Sequence, residues 1–491
     1  MKKSILLIIF FLTGFYIQSQ TITAKLISKS QGTSIPYATI KTGKYSGVIS
    51  NEEGYFSLNS ENLQNKTITI SCIGYQSKTL TLETIRALDF VVSLDEAINQ
   101  LNEVYISNKK PNADSIIARA KMKLSENYDI TLNSHNIFYR ATYYGDFKKL
   151  DFEIEKASHV KSKNLKKVNS SLDSLSKHII SSNAIQFSDF KGALLSLDDD
   201  STKLVVNKAT KLIDSKNDFS IDAVQETIQN LILKYLDTTK TYKLKSGLFK
   251  IEDSLSLRKE DYKDMEKKEY KVPDLKKSTS TLLHNAMFVG DSFLKDILDS
   301  RLYDYTFEDM GYNNGELTYV ISYEPRKGKA KYTGKLFISN DNFAITKVDY
   351  KYYKSRYGKK VNLKLVLGVK FIENVSEGTY IYEKNSDNTY QPKYIKSISG
   401  AYFYVNRDLK MIENSRNRFK VGSNFKIEGD NRKKEEILFT NISDITREDY
   451  TSIKQEKVVP YKQLKTFEKT TWQNEAILEP LEEMKRFGSG E

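Results

Sequence analysis

Short runs of β-forming residues, punctuated by glycines near the start of the chain, restrict the fold more than any other feature. Five such runs lie at residues 21–27, 38–41, 55–58, 67–72 and 78–82. Their β-branched and aromatic residues favour strands, and the turn residues between them are spaced as in an all-β unit. Gly47 and Gly54 are expected to supply positive φ in tight connections, with Asn51-Glu52-Glu53 as a hairpin tip. Residues 20–107 are therefore predicted to form a small β-sandwich.

The order of glycines and strand residues in this stretch is specific. It runs through Gly32, then Ile35-Pro36-Tyr37-Ala38-Thr39-Ile40, Gly47, Asn51-Glu52-Glu53-Gly54-Tyr55-Phe56-Ser57-Leu58 and Ile70-Ser71-Cys72-Ile73-Gly74-Tyr75. This pattern resembles the carboxypeptidase-regulatory-like domain, a transthyretin-like β-sandwich at the N-termini of many envelope proteins of Bacteroidetes-type bacteria. The resemblance implies a protein of that kind, with a C-terminal region of uncharacterised function. It implies a fold and not a peptidase activity.

The N-terminal residues have the pattern of a secretory signal peptide. Lys2 and Lys3 precede an apolar run at residues 5–15, and the small residue Ser19 follows. Residues 1–19 are therefore expected to be removed, and the mature chain to be exported to the periplasm or associated with the outer membrane. The later sequence contains no apolar run of about 18 residues, so no transmembrane segment is expected after signal cleavage.

The whole chain is predicted to be mainly β with α+β character. After the sandwich, the predicted regions are a linker at residues 108–112, a mixed helical and strand region at 113–310, an antiparallel β-sheet region at 311–445 and a C-terminal tail at 446–491 that docks on the sheet. Pro111 marks the linker. Few contacts are expected to cross it, so the part of the chain after the linker is expected to fold without the sandwich.

Apolar periodicity predicts the helices and strands within these regions. Helices are predicted at residues 113–127, 221–236 and 280–298, and a charged, mobile loop at 258–277. Strands are predicted at residues 135–160, 317–323, 334–339, 344–353, 361–371, 378–382, 394–404 and 436–442. Alternating apolar and polar residues in the last third indicate a curved antiparallel sheet, with a helix on its inner face and water on the other.

Charge and cysteine content exclude some classes of partner and chemistry. The formal net charge is +13, with lysines interspersed among acidic segments. This favours a solvated surface, or an anionic lipopolysaccharide or polysaccharide partner, over nucleic acid. Neither an RNA-binding aromatic signature nor a DNA-recognition helix motif occurs, so no nucleic-acid partner is expected. The single cysteine, Cys72, excludes an intramolecular disulfide and is expected to be a small buried hydrophobic residue.

One segment imitates a catalytic motif. Gly290-Asp291-Ser292 follows an apolar run and resembles the Gly-Asp-Ser block of SGNH hydrolases, and residues 311–314 resemble the later Gly-Asn block. In that family the histidine base lies downstream of the serine. Here all four histidines precede Ser292, at His135, His159, His178 and His284. Asp291 or Ser292 is therefore interpreted as a helix cap.

The sequence supports no metal or nucleotide site. It has no His-Glu-x-x-His motif and no two histidines within one helical turn. Asp198-Asp199-Asp200 lacks the glycine and terminal glutamate of a calcium loop, and Gly328-Lys329 lacks the spacing of a phosphate-binding loop. No catalytic, cofactor-binding or metal-binding residue is therefore predicted, and no cofactor is expected.

Two functions remain open on these grounds. The first is an exported, non-enzymatic envelope protein that acts as a binding or scaffold module for a protein, glycan or lipid partner. The alternative is a carboxylate-dependent hydrolase of envelope glycans or peptides, because 63 acidic residues always offer pairs. Two carboxyl groups about 5–9 Å apart in a cleft would favour the hydrolase. A continuous concave apolar groove would favour lipid or peptide binding.

Overall fold

The computed structural model describes residues 21–43, 46–60, 63, 66–97, 110–128, 133–158, 160–182, 184–197, 201–213, 236–247, 249–258, 268–313, 316–385 and 387–488. They belong to two compact units. The sandwich unit combines residues 21–97 with 468–481, and the sheet unit contains most of residues 110–467 together with 482–488. Strands make up 52% of the structure and helices 19%, so the predicted mainly β class is confirmed.

The first stretch of the sandwich unit, residues 21–97, forms two small sheets and one α-helix among its described residues. Its elements are β1 Thr21–Ser28, β2 Thr39–Lys41, β3 Gly47–Ile49, β4 Tyr55–Asn59, β5 Ile68–Ser71, β6 Lys78–Leu80, α1 Leu82–Ala87 and β7 Val91–Leu94. One sheet has the order β4-β1-β7 and the other the order β3-β2-β5-β6. Ile22, Ala24 and Leu26 are the buried, alternate residues of β1, the period of two of a strand with one face on a core.

The hairpin tip before β4 is held by one asparagine. Asn51 Oδ1 accepts the backbone N–H groups of Glu53 and Tyr55, each at 2.9 Å. Gly54 has a φ of 81°, a conformation that glycine adopts without steric cost. Gly54 is therefore the turn glycine that the sequence predicts. Gly47 is not, because it lies in β3 and pairs with β2.

A segment of the C-terminal tail, residues 468–481, belongs to the sandwich unit, and we call it the strap. It begins with a 3₁₀ helix at Lys469–Trp472. The Asn51 side chain holds its other end, because Nδ2 donates to the backbone carbonyls of Glu479 and Pro480 at 3.2 and 3.3 Å. The strap departs from the prediction, in which the whole tail docks on the C-terminal sheet.

The sheet unit is built mainly from long strands. They are β8 Asn133–Ala157, β9 Ala184–Ser196, β10 Thr202–Leu212, β11 Thr241–Ser246, β12 Phe249–Ser256, β13 Glu269–Lys271, β14 Tyr303–Asn313, β15 Glu316–Pro325, β16 Tyr332–Ser339, β17 Ile345–Tyr352, β18 Lys360–Leu363, β19 Val369–Lys384, β20 Tyr390–Glu413, β21 Lys420–Asp444, β22 Val458–Pro460 and β23 Lys462–Leu464. Strands β13 and β22 pair with each other. The other fourteen described strands form one sheet, with the order β14-β15-β16-β17-β19-β20-β21-β8-β9-β10-β23 and with β11, β12 and β18 attached beside it.

Three helices of the sheet unit pack on one face of this sheet, which we call the core face. The helices of the sheet unit are α2 Ala113–Met122, α3 Leu124–Asn127, α4 Ser162–Ser181, α5 Val272–Asn285, α6 Phe293–Ile297, α7 Lys364–Leu367, α8 Arg447–Ser452 and α9 Glu482–Lys485. Ile117 of α2, Leu282 of α5 and Leu294 of α6 join one hydrophobic cluster with Ile137 and Ile395 of the sheet. The helices that the sequence predicts near residues 113–127 and 280–298 are thus the ones that fill this face.

The strand predicted at residues 361–371 is wrong, because the chain reverses within it. Residues Lys360–Leu363 form β18, a single helical turn follows as α7, and the chain returns as β19. Gly368 ends the turn with a φ of 62°. An apolar run alone does not distinguish one strand from two halves of a hairpin, and the positive φ at Gly368 allows the reversal.

Two further predictions for the sheet unit differ from the structure. Residues 268–277, predicted as part of a mobile loop, contain β13 and the start of α5, where a proline lies in the first helical turn and Val272 is buried. The region boundary predicted at residue 310 falls inside β14, and strands from both sides of that boundary pair in one sheet. Long-range strand pairing produces this sheet, and local composition carries no signal for it.

Several predictions lie wholly or partly outside the described residues. They concern the signal peptide at 1–19, the end of the sandwich module at 98–107, part of the linker at 108–112, residues 198–200 and nearly all of the helix at 221–236. Cys72 is described and is partly exposed rather than buried, because β5 ends one residue before it. Within the part of the chain that the structure describes, no helix has both the length and the apolar character that crossing a bilayer requires.

Candidate functional site

The serine of the hydrolase-like segment caps a helix. Ser292 Oγ accepts the N–H of Leu294 at 3.4 Å at the start of α6, and it donates to the carbonyl of Asn285 at 3.2 Å. His284 Nε2 lies 3.0 Å from the carboxylate of Asp291, and this hydrogen bond lowers the pKa of Asp291. The helix-cap interpretation of Ser292 is confirmed. The Ser292 hydroxyl is hydrogen-bonded to backbone groups, and the His284 imidazole is hydrogen-bonded to Asp291 rather than to Ser292.

The two other described histidines have different environments. His135 of β8 is buried against Phe439, with ring centroids 5.4 Å apart, whereas His178 is exposed on α4. His159 lies outside the described residues. Among the residues that the structure describes, no group of three or more histidine, cysteine, aspartate or glutamate side chains is arranged to hold a metal ion. The carboxylates, lysines and tyrosines of the sheet are the remaining reactive groups to consider.

A row of alternating charges crosses the sheet on the face opposite the core face. The strand registers place Lys396 opposite Glu436, Glu436 opposite Arg140, and Arg140 opposite Asp189. We call these four residues the charged row. The Arg140 guanidinium donates twice to Asp189, from Nε at 2.9 Å and from Nη2 at 2.8 Å, and both side chains are buried. Tyr394 donates its hydroxyl to Glu436 at 2.6 Å.

The charged row is suited to stabilising the sheet. Cross-strand neighbours of opposite charge attract each other, and a bidentate arginine–aspartate pair has the geometry that lets buried charges satisfy one another. Asp189 and Glu436 lie on β9 and β21, on either side of β8, so the spacing of strands puts them about 10 Å apart. The Arg140 side chain lies between them in register. Each carboxylate therefore has its own hydrogen-bond donor: Asp189 binds the Arg140 guanidinium and Glu436 binds the Tyr394 hydroxyl.

A second polar cluster lies on the core face beside α5. Tyr139 donates its hydroxyl to Glu435 Oε1 at 2.7 Å, and Lys433 Nζ donates to the same oxygen at 2.6 Å. Burial opposes the charged form of Lys433, but the Glu435 carboxylate and Tyr143 raise its pKa above the usual value. Burial also raises the pKa of Tyr139. Both groups keep their protons at neutral pH, so neither is suited to act as a base.

Five exposed apolar side chains of the described residues lie on two hairpins near β20. Leu365 is 100% exposed and Val366 80% exposed in the turn α7, and Leu363 before them is 43% exposed. Phe249 and Ile251, each 55% exposed, lie on β12. We call these five residues the tip patch. Contiguous exposed apolar surface of this kind marks interaction sites in soluble proteins.

Strand pairing brings the two parts of the tip patch together. Gly368 directly follows α7, and its carbonyl accepts the backbone N–H of Asn406 of β20 at 2.8 Å. Farther along β20, Leu409 pairs with Ser246 at the end of β11. These two points are three residues apart on one strand, which is about 10 Å. The guanidinium of Arg407 lies between them in sequence and 6.0 Å from the Phe249 ring centroid. The turn α7 and the β11–β12 hairpin are therefore neighbours.

The composition of residues 356–370 indicates an unusual surface segment, but the prediction of a single strand assigned its apolar residues to a core. Residues 356–370 combine leucine and valine with five lysine or arginine residues and no aspartate or glutamate. Interpreted as one strand, the run places its aliphatic residues in a core. The reversal at α7 exposes them instead.

Comparison with known proteins identifies the sandwich unit alone. A family model described as CarboxypepD_reg-like domain matches residues 22–106. Searches of the curated proteins and of the solved structures give no match to the chain. The charged row and the tip patch lie outside the matched residues. Residues 22–106 are thus a carboxypeptidase-regulatory-like domain, the domain that the sequence pattern resembles.

Proposed function

We propose that this protein is an exported, non-enzymatic component of the cell envelope that binds a partner through the tip patch of its sheet unit. The exposure of Leu365 and Val366 carries the proposal. Keeping an aliphatic side chain in water forgoes roughly 25 cal/mol for each Å² that burial would remove from water. Two such residues at the end of a hairpin, next to Phe249 and Ile251, provide a surface that a partner can cover.

The matched domain does not indicate an enzymatic activity. The carboxypeptidase-regulatory-like domain is of a regulatory type and is not itself catalytic. The export signal at residues 1–19 of the sequence supports a place in the envelope, in the periplasm or associated with the outer membrane. The scaffold and binding roles that the sequence left open thus share one candidate surface.

The arrangement of the buried carboxylates does not favour the hydrolase alternative. A glycosidase needs two carboxyl groups about 5–9 Å apart, with substrate or water between them. Asp189 and Glu436 are separated by about two strand spacings. Arg140 occupies the intervening strand and binds one of the two carboxylates.

The test is quantitative recovery of envelope components with the tagged, mature protein. We expect one protein, glycan or lipid component to co-purify in fixed proportion with the native chain. The double variant Leu365→Ser/Val366→Ser should lose it. Met122→Ser is the matched control, because Met122 is also an exposed apolar residue, on α2, and it should retain the component.

Equal recovery with all three proteins would overturn the role of the tip patch. Recovery of no component at all, together with turnover of an envelope glycan or peptide that Asp189→Asn or Glu436→Gln abolishes, would replace the proposal with the hydrolase. Thermal unfolding of each variant identifies loss through misfolding.

A further inference from the structure

We infer that the tip patch docks on a bilayer surface that carries anionic phospholipid headgroups. This inference rests on the proposed binding function of the same patch and names its occupant. Leu365 and Val366 enter the boundary between headgroups and acyl chains, and the cations around them contact the headgroup phosphates. The projection of these side chains, the charge around them and the aromatic rings at their base carry the inference.

Leu365 and Val366 project from the sheet and do not line a recess. They lie in a single helical turn between β18 and β19, and nearly all of their surface is in contact with water. A folded protein partner would need a pocket shaped to receive them. A fluid bilayer admits projecting aliphatic side chains without a preformed pocket, as it admits the apolar face of an interfacial helix.

The segment that carries the projecting residues is cationic. Four of its five cations are Lys359, Lys360, Lys364 and Lys370. The fifth, Arg356, donates to the backbone carbonyls of Lys327 and Gly328 and is not counted here.

The neighbouring β11–β12 hairpin contains two acidic residues, Glu252 and Asp253, and three lysines, Lys243, Lys245 and Lys250. Asp253 forms ion pairs with Lys250 and Lys243, and the hairpin keeps an excess of positive charge. Each lysine or arginine close to an anionic membrane strengthens binding about fivefold. The charge around the tip patch therefore complements an anionic lipid surface.

Aromatic rings support the cations near the tip. Lys364 Nζ lies 4.2 Å from the ring centroid of Tyr404, and Lys360 Nζ lies 5.0 Å from that of Tyr357. In both contacts the ammonium group itself lies against the ring, and this cation–π attraction holds the positive charge near the tip. Tyrosines are enriched at the headgroup level of membrane proteins because one end of the ring is apolar and the other polar.

Flotation of the purified full chain with vesicles tests the inference. Vesicles of phosphatidylcholine alone are compared with vesicles that also contain phosphatidylglycerol, at about 0.1 M and about 0.5 M salt, because the higher concentration screens exposed charges. We expect binding to the vesicles with phosphatidylglycerol at low salt. Binding should be several-fold weaker at high salt and weakest to phosphatidylcholine alone.

Two pairs of variants separate the apolar and the ionic contributions. Leu365→Ser/Val366→Ser should weaken binding by about 100-fold, because each aliphatic side chain withdrawn from water contributes about tenfold. Lys360→Gln/Lys364→Gln should weaken binding to phosphatidylglycerol vesicles by about 25-fold. Met122→Ser and Lys121→Gln/Lys123→Gln are the controls, since these residues are exposed on α2 and at its end, and they should bind as the native chain does.

Measuring how deeply residue 365 enters the bilayer distinguishes insertion from binding by surface charge alone. Tryptophan is introduced by Leu365→Trp or, as the control, by Met122→Trp, and the vesicles carry brominated acyl chains that quench tryptophan fluorescence. The native Trp472 is buried and supplies a constant background. We expect quenching of Leu365→Trp and not of Met122→Trp.

The outcomes separate this inference from the proposed function. Failure of the chain to float with any vesicle, while Leu365→Ser/Val366→Ser still loses a co-purifying envelope protein, overturns the membrane inference and leaves the binding function in place. Undiminished flotation of that variant overturns the assignment of the tip patch to the membrane. Absence of both vesicle binding and a co-purifying component overturns the inference and the proposed function together.

Discussion

At the scale of single residues, one buried polar side chain of the sheet unit with an unsatisfied atom is a histidine. His135 is buried on β8, and its Nδ1 has no hydrogen-bond partner in the described structure. Its neighbours in register are Leu194 and Ile442, and the Phe439 ring packs edge-on against it. Desolvation in this apolar setting lowers the pKa of His135 to about 4. The residue is therefore neutral throughout the physiological range and acts as part of the core.

We predict that His135 makes the protein less stable below neutral pH. Between pH 6.5 and 4 the unfolded chain protonates this histidine and the folded chain does not, so the free energy of unfolding falls as the pH falls through this window. The loss should reach about 2 kcal/mol at pH 5. Urea unfolding at pH 7.5 and pH 5 should show this extra loss in the native chain and in the exposed control His178→Asn, and not in His135→Leu. An equal loss in His135→Leu would contradict the prediction.

At the scale of elements, tyrosines and glycines alternate across the core face of the sheet. Tyr323, Gly334, Tyr350 and Gly378 follow one another in register from β15 to β19. The Tyr323 hydroxyl passes Gly334 and donates to the carbonyl of Asp349 at 3.1 Å. A β-carbon on Gly334 would overlap that carbonyl oxygen and would approach the Tyr323 hydroxyl to 2.9 Å. The glycine thus makes room for the ring of the neighbouring strand.

We predict that Gly334→Ala destabilises the sheet unit by about 2 kcal/mol, the usual cost of overpacking a filled site. Gly328→Ala is the control, because a β-carbon at Gly328, in the turn before β16, meets no atom within 4 Å. Denaturant unfolding of the two variants measures the difference. Equal stability of Gly334→Ala and Gly328→Ala would show that the strands can separate slightly without loss.

Sequence periodicity predicts individual elements well where the apolar pattern is local. The helix predicted at residues 113–127 is present as α2 and α3, and the strand predicted at 317–323 lies within β15. The pattern fails where the outcome depends on distant residues. Residues 361–371 have the composition of one strand, and only the pairing of β18 with β19 shows that they form a hairpin. The sequence therefore did not predict the exposure of Leu363, Leu365 and Val366.

At the scale of the whole molecule, the sandwich unit takes residues from both ends of the described chain. The strap at residues 468–481 belongs to it, and the backbone N–H of Asn474 donates to Thr21 Oγ1 at 3.1 Å. Local sequence carries no sign of contacts between residues more than 400 positions apart. Removal of residues 20–107 would leave the strap without these hydrogen bonds, and folding of the rest of the chain without the sandwich stays a prediction.

Asn51 offers a way to loosen the strap while leaving the hairpin tip intact. Its Oδ1 accepts backbone N–H groups of the hairpin, and its Nδ2 donates to the strap carbonyls of Glu479 and Pro480. In Asn51→Asp the acceptor remains, but a carboxylate faces the two carbonyls in place of the donor, at a cost of about 1–3 kcal/mol. Hydrogen exchange should rise in the strap and stay unchanged in β8 to β10.

The matched control for this last prediction is Asn112→Asp. Asn112 caps α2 by accepting the N–H of Ser115 at 2.9 Å through Oδ1, so aspartate can take over that role. A carboxylate is also favourable at the positive end of the helix dipole. Exchange in the strap should therefore match the native chain in Asn112→Asp. If Asn51→Asp also matched the native chain, the strap would be held by contacts other than the Asn51 amide.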